Sequence, residues 1–370
     1  MKVLHVLGKS SGGIRQHVSA LNAELLNNEI DSTIVGPHGV MDGLCDQEFQ
    51  FENYSSKNPF SVLRAVRYLR ILFRQQELIH AHGVTAAYLS WMAQLFSTHK
   101  LPIILTLHNI AHRSLLGKKF FIVKAFQSFI ISRVSHVIVP TKFTLNQIID
   151  KGNNQDKFSV VLPIGKIFNE KERIQAKDFS SKMRQTLSLS SDDVVFLFLG
   201  RIAPQKNLEV LLKAFDRVSN NSPDIHLVIA GSGSNDNEAK LIDWIEHCDN
   251  SEKIHRIKGV DSPANTIASA DVMVLSSVYE TVPLVVLEGL QLGVPTVMTQ
   301  TGIAEEILQG EYGEYVPVGD DAKFSQAIQT WSAKVKENTI DHHKLEKKVD
   351  SIFNSTVCVQ PIIDIYQAAS

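Results

Sequence analysis

The feature that most constrains the fold is a regular alternation of short apolar runs with helical patterns along the chain. In the first half, the apolar runs predict strands at Lys2–Leu7, Ser32–Val35, Leu78–Ala81, Ile103–Leu107, His136–Val139 and Phe158–Leu162. In the second half, they predict strands at Val194–Leu199, Ile225–Ala230, Ile254–Lys258, Val272–Leu275, Thr296–Met298 and Glu314–Val316. Strands joined through helices are typical of parallel, doubly wound sheets. The sequence therefore predicts an α/β protein.

A polar, charged stretch, Lys166–Asp193, interrupts this alternation and indicates a domain boundary. At 370 residues, the chain is long enough for two domains that each have a core. We therefore expect two Rossmann-like domains facing a cleft, the first over residues 1–165 and the second over residues 166–355.

Composition narrows the class of protein. Hydrophobic residues make up 44% of the chain and charged residues 21%, which are globular values. The three cysteines, Cys45, Cys248 and Cys358, show neither a disulfide framework nor a zinc spacing, so a reducing cytoplasm is expected. No signal peptide and no apolar stretch of membrane-span length are recognised. A near-neutral pI without an aromatic and basic platform argues against a nucleic-acid partner.

Two carboxylates eight positions apart, Glu280 and Glu288, flank a predicted strand-to-helix turn. Pro283 suits the start of a helix, whose free N–H groups favour a phosphate. Carboxylates beside a phosphate site suggest recognition of hydroxyl groups, as in a nucleotide sugar. On spacing alone, two solvated surface residues explain the pair equally well.

A second cluster follows the predicted strand Val194–Leu199. Arg201 and Lys206 share the loop directly after it, where a guanidinium and an ammonium together suit a diphosphate. Two cations in a loop are usually just solvated. Their position at the carboxyl edge of a predicted sheet favours a ligand site instead.

These residues resemble a known family. Gly200-Arg-Ile-x-x-Gln-Lys-Asn207, Ala230-Gly-Ser-Gly233, Glu280-x7-Glu288 and Gly293-Val-Pro295 look like the pattern of glycosyltransferase family 4 on the GT-B fold. The resemblance covers nearly the whole chain. It implies that a final helix, residues 356–370, packs back on the first domain.

The resemblance also implies a retaining transfer from a nucleoside-diphosphate sugar to a saccharide or lipid-linked saccharide acceptor in cell-surface polysaccharide assembly. The transferred group would be of hexosyl or N-acetylhexosaminyl type. The implied catalytic residues are Arg201, Lys206, Glu280 and His108. The implied donor-binding residues are Gly12, Gly13, Gly231, Gly233, Thr281, Val282, Pro283, Leu284 and Glu288. No Asp-x-Asp motif is present, so no catalytic metal and no cofactor are expected.

Two of these assignments have plain structural alternatives. A Gly-Gly pair after a strand, as at Gly12 and Gly13, is often simple turn chemistry. His82 and His108 end predicted strands, and a structural role is slightly favoured for His82. The family resemblance directs His108 toward the transferred sugar, where it would hydrogen-bond a hydroxyl or, protonated, stabilise the departing phosphate. The remaining histidines show no ligand spacing and are interpreted as surface or core residues.

The sequence departs from the family pattern near the first carboxylate. Thr281-Val-Pro283 stands where many members have a Gly after the first Glu, and Gly289 stands where Ala is common. These departures leave the donor sugar open. A GT-B nucleotide-sugar epimerase and a catalytically silent nucleotide-sugar binding protein are the alternative functions, and a Rossmann dehydrogenase is disfavoured because no dinucleotide fingerprint follows the first strand.

The first 170 residues carry a net charge of +7, from 18 Lys and Arg against 11 Asp and Glu. Two segments of this part, Phe60–Arg74 and Arg113–Lys124, combine basic with apolar residues. Basic amphipathic segments can lie on anionic membranes, so a peripheral contact with the inner face of a membrane is predicted. A core-packed helix with a solvated Arg stripe explains the first segment equally well.

Overall fold

A computed structural model describes residues 1–9, 13–40, 48–54, 58–149, 155–308 and 312–370, apart from the side chains of Glu48, Ser114 and Leu115. Gly12 and Cys45 lie outside the described residues. The chain divides into two compact units. Unit 1 comprises residues 1–166 and 353–370, and unit 2 comprises residues 167–352.

Unit 1 alternates strands and helices from its first residues onward. Its elements are β1 (Lys2–Leu7), α1 (Gly13–Asn27), β2 (Asp31–Pro37), β3 (Glu48–Phe51), α2 (Pro59–Leu72), β4 (Leu78–His82), α3 (Val84–Leu95), β5 (Ile103–Thr106), α4 (Arg113–Leu116), α5 (Phe120–Arg133), β6 (His136–Val139), α6 (Lys142–Ile148) and β7 (Phe158–Val160). The strands form one parallel sheet in the order β3-β2-β1-β4-β5-β6-β7.

Unit 2 repeats the same construction. Its elements are α7 (Glu170–Thr186), β8 (Val194–Leu199), α8 (Leu208–Ser219), β9 (Ile225–Ala230), α9 (Asn235–Glu246), β10 (Ile254–Ile257), α10 (Pro263–Ala268), β11 (Val272–Leu275), α11 (Leu284–Gln291), β12 (Thr296–Thr299), α12 (Ala304–Ile307), β13 (Gly313–Val316), α13 (Asp321–Lys336) and α14 (His342–Ile352). Its six parallel strands have the order β10-β9-β8-β11-β12-β13.

Both sheets reverse their strand order once, between β1 and β4 in unit 1 and between β8 and β11 in unit 2. Ligands of doubly wound proteins bind outside the carboxyl ends of the strands at such a reversal. The prediction of two Rossmann-like parallel sheets is confirmed. The carboxyl ends of β1, β4, β8 and β11 are therefore the candidate positions of a ligand site.

The two faces of the unit 1 sheet differ in polarity. Side chains alternate along a strand, so Leu4 and Val6 of β1 enter the larger apolar core, whereas His5 and Leu7 point to the opposite face. On β4, Ile79 likewise joins the apolar core. The opposite face packs under α1, where buried histidines lie beside a small aliphatic cluster of Leu7, Val18 and Ile34.

The segment after unit 2 returns to unit 1. Helix α15 (Ser355–Ala369) begins at Asn354, whose side chain accepts a hydrogen bond from the Val357 N–H. It packs against α1, and Tyr366 is fully buried there. None of the helices in the described ranges combines the length and the apolar character that crossing a membrane requires.

Candidate functional site

Two loops interlock at the strand-order reversal of unit 2, one after β8 and one after β11. The Gln205 side-chain amide donates to the Tyr279 carbonyl at 2.7 Å, and the Val278 N–H donates to the Gln205 carbonyl at 2.8 Å. The buried Ser276 hydroxyl donates to the Lys206 carbonyl at 2.8 Å. These bonds fix the loop that carries Lys206 against the segment that leads to the first carboxylate.

The structure brings Lys206 and Glu280 together. The Lys206 Nζ lies 2.5 Å from Glu280 Oε1, and the two side chains are 15% and 10% exposed. The pair is partly desolvated, so its electrostatic attraction is stronger than that of a surface ion pair. The Lys206 ammonium, which the sequence predicts to bind a diphosphate, is therefore already paired with a carboxylate in this structure. Arg201, on the same loop, is exposed.

The second carboxylate lies on α11. Pro283 precedes this helix with an extended backbone, and Leu284 is its first residue. Glu288 falls in its second turn and is only 5% exposed, and Thr281 before the helix is also buried. Val282 is half-buried. Burial excludes the interpretation of Glu280 and Glu288 as solvated surface residues.

The predicted donor glycines Gly231 and Gly233 permit close contact between two backbones. A Cβ on Gly231 would lie 1.9 Å from the Gly200 carbonyl oxygen, and Gly231 has a φ of +126°. A Cβ on Gly233 would lie 2.5 Å from the Ile202 carbonyl oxygen. The Gly233 N–H donates to the Glu238 carboxylate at 2.8 Å. In this structure, both glycines join the loop after β9 to the loop after β8.

Gly302 supports the loop that carries Glu280. A Cβ at this position would lie 1.9 Å from the Thr281 carbonyl oxygen and 2.8 Å from that of Glu280. Its φ of +55° lies in the left-handed region that favours glycine. The loop between β12 and α12 therefore packs directly beneath the first carboxylate.

Unit 1 contains a cluster of buried histidines at the reversal of its sheet. Among the described residues, the cluster is formed by His5, His17, His80, His82 and His108. The rings of His5 and His82 are joined at 2.9 Å, and those of His82 and His108 at 3.1 Å. Neighbouring strands bring these rings together, because His5 of β1 lies beside His80 of β4.

The environment keeps these rings neutral near pH 7. Burial lowers the pKa of His5 to about 3 and that of His17 to about 4. Burial and the neighbouring rings also hold the pKa values of His80, His82 and His108 well below 6.5. A neutral ring can donate one hydrogen bond and accept another. This favours hydrogen bonding to a hydroxyl over a protonated role for His108.

A cavity of about 500 Å³ opens beside the cluster within unit 1. Its lining includes Lys9, Tyr54, Thr85 and the two histidines His82 and His108. The cavity lies where β1, β4 and β5 end, which is the edge at which doubly wound sheets bind ligands. Gly13, the first residue of α1, is exposed.

Two family models match the chain over most of both units. The model of Glycosyltransferase Family 4 matches residues 11–163, and the model of Glycosyl transferases group 1 matches residues 179–349. The chain belongs to glycosyltransferase family 4. It is a transferase with the GT-B fold, as the family resemblance of its motifs predicted.

Relatives of this glycosyltransferase include enzymes of polysaccharide biosynthesis. The capsular polysaccharide biosynthesis glycosyltransferase CapM of Staphylococcus aureus is 23% identical, over 83% of this chain and 81% of its own. The N-acetyl-alpha-D-glucosaminyl L-malate synthase of Bacillus anthracis is 22% identical, over 80% of this chain and 75% of its own. Anabaena HepE, solved with UDP and glucose, superposes with a TM-score of 0.83 at 16% identity, over 99% of each chain.

Sequence reasoning missed most of the histidine cluster of this glycosyltransferase. Without ligand spacing, the sequence predicts His5, His17 and His80 only as surface or core residues. The structure buries all three and packs them against His82 and His108. The sequence carried one usable signal. The spacing of His80 and His82 on one strand places both rings on the same face of the sheet.

Gly289 has a structural explanation in this glycosyltransferase. A Cβ at this position would lie 2.5 Å from the Met273 sulfur. Met273 on β11 is fully buried and fills the space that a larger residue on α11 would take. The departure from the common Ala therefore follows from the packing beneath Glu288.

Proposed function

We propose that this glycosyltransferase moves a hexosyl or N-acetylhexosaminyl group from a nucleoside-diphosphate sugar to a saccharide or lipid-linked saccharide. The observation that carries the proposal is the contact of Lys206 with Glu280 on two interlocked loops at the carboxyl edge of the unit 2 sheet. The UDP and UDP-glucose bound in HepE structures support a uridine nucleotide as donor. The capsular role in the name of CapM supports cell-surface polysaccharide assembly.

In this proposal, each side chain of the site has a distinct task. Arg201 and Lys206 neutralise the charge that develops on the leaving diphosphate. Glu288 accepts hydrogen bonds from ribose hydroxyls, and Glu280, held by its bond to Lys206, contacts the donor sugar.

The reaction proceeds with retention at the anomeric carbon. The acceptor hydroxyl oxygen forms the new bond to that carbon while the bond to the diphosphate oxygen breaks. The acceptor proton passes to an oxygen of the leaving phosphate. Because two cationic side chains neutralise the diphosphate, this scheme requires no metal ion and no cofactor.

We expect UDP and one UDP-sugar to raise the melting temperature selectively, in a panel that includes the GDP and ADP series. A ligand that binds only the native state at a hundred times its Kd adds about 2.7 kcal/mol to the free energy of unfolding. Thermal unfolding measured with each nucleotide tests which nucleotide the donor carries. The anomeric configuration of the product, determined by NMR, tests retention. Equal melting temperatures across the whole panel, with and without an oligosaccharide acceptor, would contradict the proposal.

The proposal of a lipid-linked acceptor includes a peripheral contact of the protein with a membrane. Helix α5 exposes Phe121 by 68% and Ile122 by 74%. Lys118, Lys119 and Lys124 flank these side chains in sequence. Helix α2 adds the exposed Phe60, but Arg64 of that helix pairs with Glu52 at 2.7 Å. Apolar side chains beside ammonium groups suit the boundary of an anionic bilayer.

Flotation of the full chain with phosphatidylglycerol vesicles is expected to recover the protein with the lipid. Phosphatidylcholine vesicles are expected to recover much less, because the lysines gain about 1 kcal/mol each only near an anionic surface. Phe121→Ser with Ile122→Ser should lose the binding. Ile242→Ser, at a 41% exposed side chain of unit 2, is the matched control. Equal recovery of wild type and the double variant would remove the membrane contact.

A further inference from the structure

Three rings of the histidine cluster surround a common point. One ring nitrogen from each of His17, His82 and His108 lies within 4.8 Å of the other two. The ring centroids form a nearly equilateral triangle, with His17 5.2 Å from His108 and 5.7 Å from His82, and His82 5.4 Å from His108. For a tetrahedral cation with metal–nitrogen bonds of about 2.1 Å, ligand nitrogens lie about 3.4 Å apart. The upper limit of 4.8 Å admits this spacing, and the one nitrogen pair with a direct contact, His82 Nδ1 and His108 Nε2, lies 3.1 Å apart.

The hydrogen bonds fix which nitrogens are available. The Ile164 carbonyl can only accept, so His17 Nδ1, 2.9 Å away, carries the proton. His17 Nε2 therefore bears a lone pair, and it is buried without a hydrogen-bond partner among the described residues. Histidine ligands of metals commonly donate their second ring N–H to a backbone carbonyl in this way. His17 is thus oriented as a metal ligand is.

His82 and His108 fit the same pattern. His82 Nε2 lies 2.9 Å from His5 Nδ1, so it can donate its proton away from the trio. That tautomer leaves a lone pair on His82 Nδ1, which faces His108 Nε2 at 3.1 Å. With His82 Nδ1 accepting, His108 Nε2 is the donor of this bond, so a cation at this point would replace one hydrogen bond and the proton that it holds.

A second trio in the same cluster, His5, His80 and His82, fits less well. Its nitrogens also lie within 4.8 Å of one another. Both ring nitrogens of His80 are already hydrogen-bonded, to the Tyr366 hydroxyl at 2.5 Å and to the Thr106 hydroxyl at 2.6 Å. A cation held by His80 would break one of these buried bonds, whereas His17 Nε2 has none to lose.

We propose that His17, His82 and His108 bind one divalent cation of the Zn²⁺ and Co²⁺ type at the wall of the unit 1 cavity. A set of three imidazoles selects such cations over Mg²⁺ and Ca²⁺, which prefer oxygen ligands. His82 and His108 also line the cavity, so a water or an acceptor oxygen there can complete the coordination. The site uses unit 1 residues only and does not rest on the proposed donor chemistry.

The test is a titration of the chelator-treated, untagged full chain with Co²⁺. One equivalent is expected to produce the visible absorption of tetrahedral Co²⁺, which Zn²⁺ abolishes and excess Mg²⁺ does not. His17→Gln should weaken Co²⁺ binding by at least about 100-fold, since a ligand and its carbonyl contact are both lost. The same change at His99, an exposed residue of unit 1, should leave the binding unchanged.

Several results would overturn the proposal. Absence of the tetrahedral Co²⁺ spectrum in the wild-type protein contradicts the site. Equal weakening of Co²⁺ binding by His99→Gln and His17→Gln contradicts it as well, because binding would then not be specific to the trio. Full binding by His17→Gln together with loss in His80→Gln would assign the cation to the other trio. Thermal unfolding of each metal-free variant checks folding. Should His17→Gln be unfolded, His108→Gln carries the same expectation.

Discussion

Replacing Lys206 by Met is expected to lower kcat/KM by roughly two to three orders of magnitude, most of it in kcat. A preorganised cation that stabilises a developing charge typically contributes about 3–4 kcal/mol to the transition state. An interaction made mainly in the transition state changes kcat more than KM. Steady-state kinetics with the donor identified by thermal shift gives the values.

The contact with Glu280 adds a second possible cause for such a loss, because the variant leaves a carboxylate without its cation. The double variant Lys206→Met with Glu280→Gln separates the two causes. If Lys206 acts on the diphosphate, the double variant stays at least as slow as the single one. Recovery of activity in the double variant would mean that Lys206 serves only to neutralise Glu280.

The matched control is Lys213→Met on α8. Lys213 also pairs with a glutamate, at 2.6 Å from Glu209, but the two side chains are 60% and 44% exposed. Exposed pairs contribute little, so activity and stability should both stay near wild type. A comparable loss in this control would show that the effect of Lys206→Met is not specific to the site.

Gly302→Ala is expected to lower the free energy of unfolding by about 3 kcal/mol or more. The new methyl group would lie 1.9 Å from the Thr281 carbonyl oxygen, so the loop that carries Glu280 must move. The left-handed backbone at Gly302 adds about 1 kcal/mol. Denaturant unfolding measures the stability, and UDP binding measures the displacement of the site.

Gly319→Ala is the control for this prediction. Gly319 has a φ of +80°, and a Cβ there would meet no atom within 4 Å. Its substitution introduces the backbone strain without the collision, so a loss of only about 1 kcal/mol and unchanged UDP binding are expected. Equal losses of unfolding free energy in the two variants would mean that the loop carrying Glu280 accommodates the new methyl group of Gly302→Ala at no further cost in stability.

The alternation of strands and helices was readable from the sequence because each buried strand forms a continuous apolar run. Strand β3 was missed, since its four residues alternate Phe49 and Phe51 with polar residues at the edge of the sheet. Helix α7 lies within the polar stretch Lys166–Asp193, which the sequence indicates only as a domain boundary. Among its residues only Ala176 is buried, so no apolar period marked it, and a capping box at Asn169 and Glu172 fixes its start.

The site was predictable as a set of loops but not as a set of contacts. Strand ends placed Lys206 and Glu280 at the same edge of a sheet, yet the sequence does not reveal that their side chains meet. The same holds for His5 and His80, whose contact depends on the register between β1 and β4. Gly231 and Gly233 were assigned to the donor, and their close approach to Gly200 and Ile202 is visible only in three dimensions.

The return of α15 to unit 1 affects how the protein is made. Tyr366 closes one face of the sheet by bonding to His80, yet the ribosome synthesises it after all of unit 2. Unit 2 is continuous in sequence, whereas unit 1 combines residues from both ends of the chain. Until Tyr366 is in place, this face of unit 1 stays open to solvent, so the first residues to emerge depend on nearly the last ones for their packing.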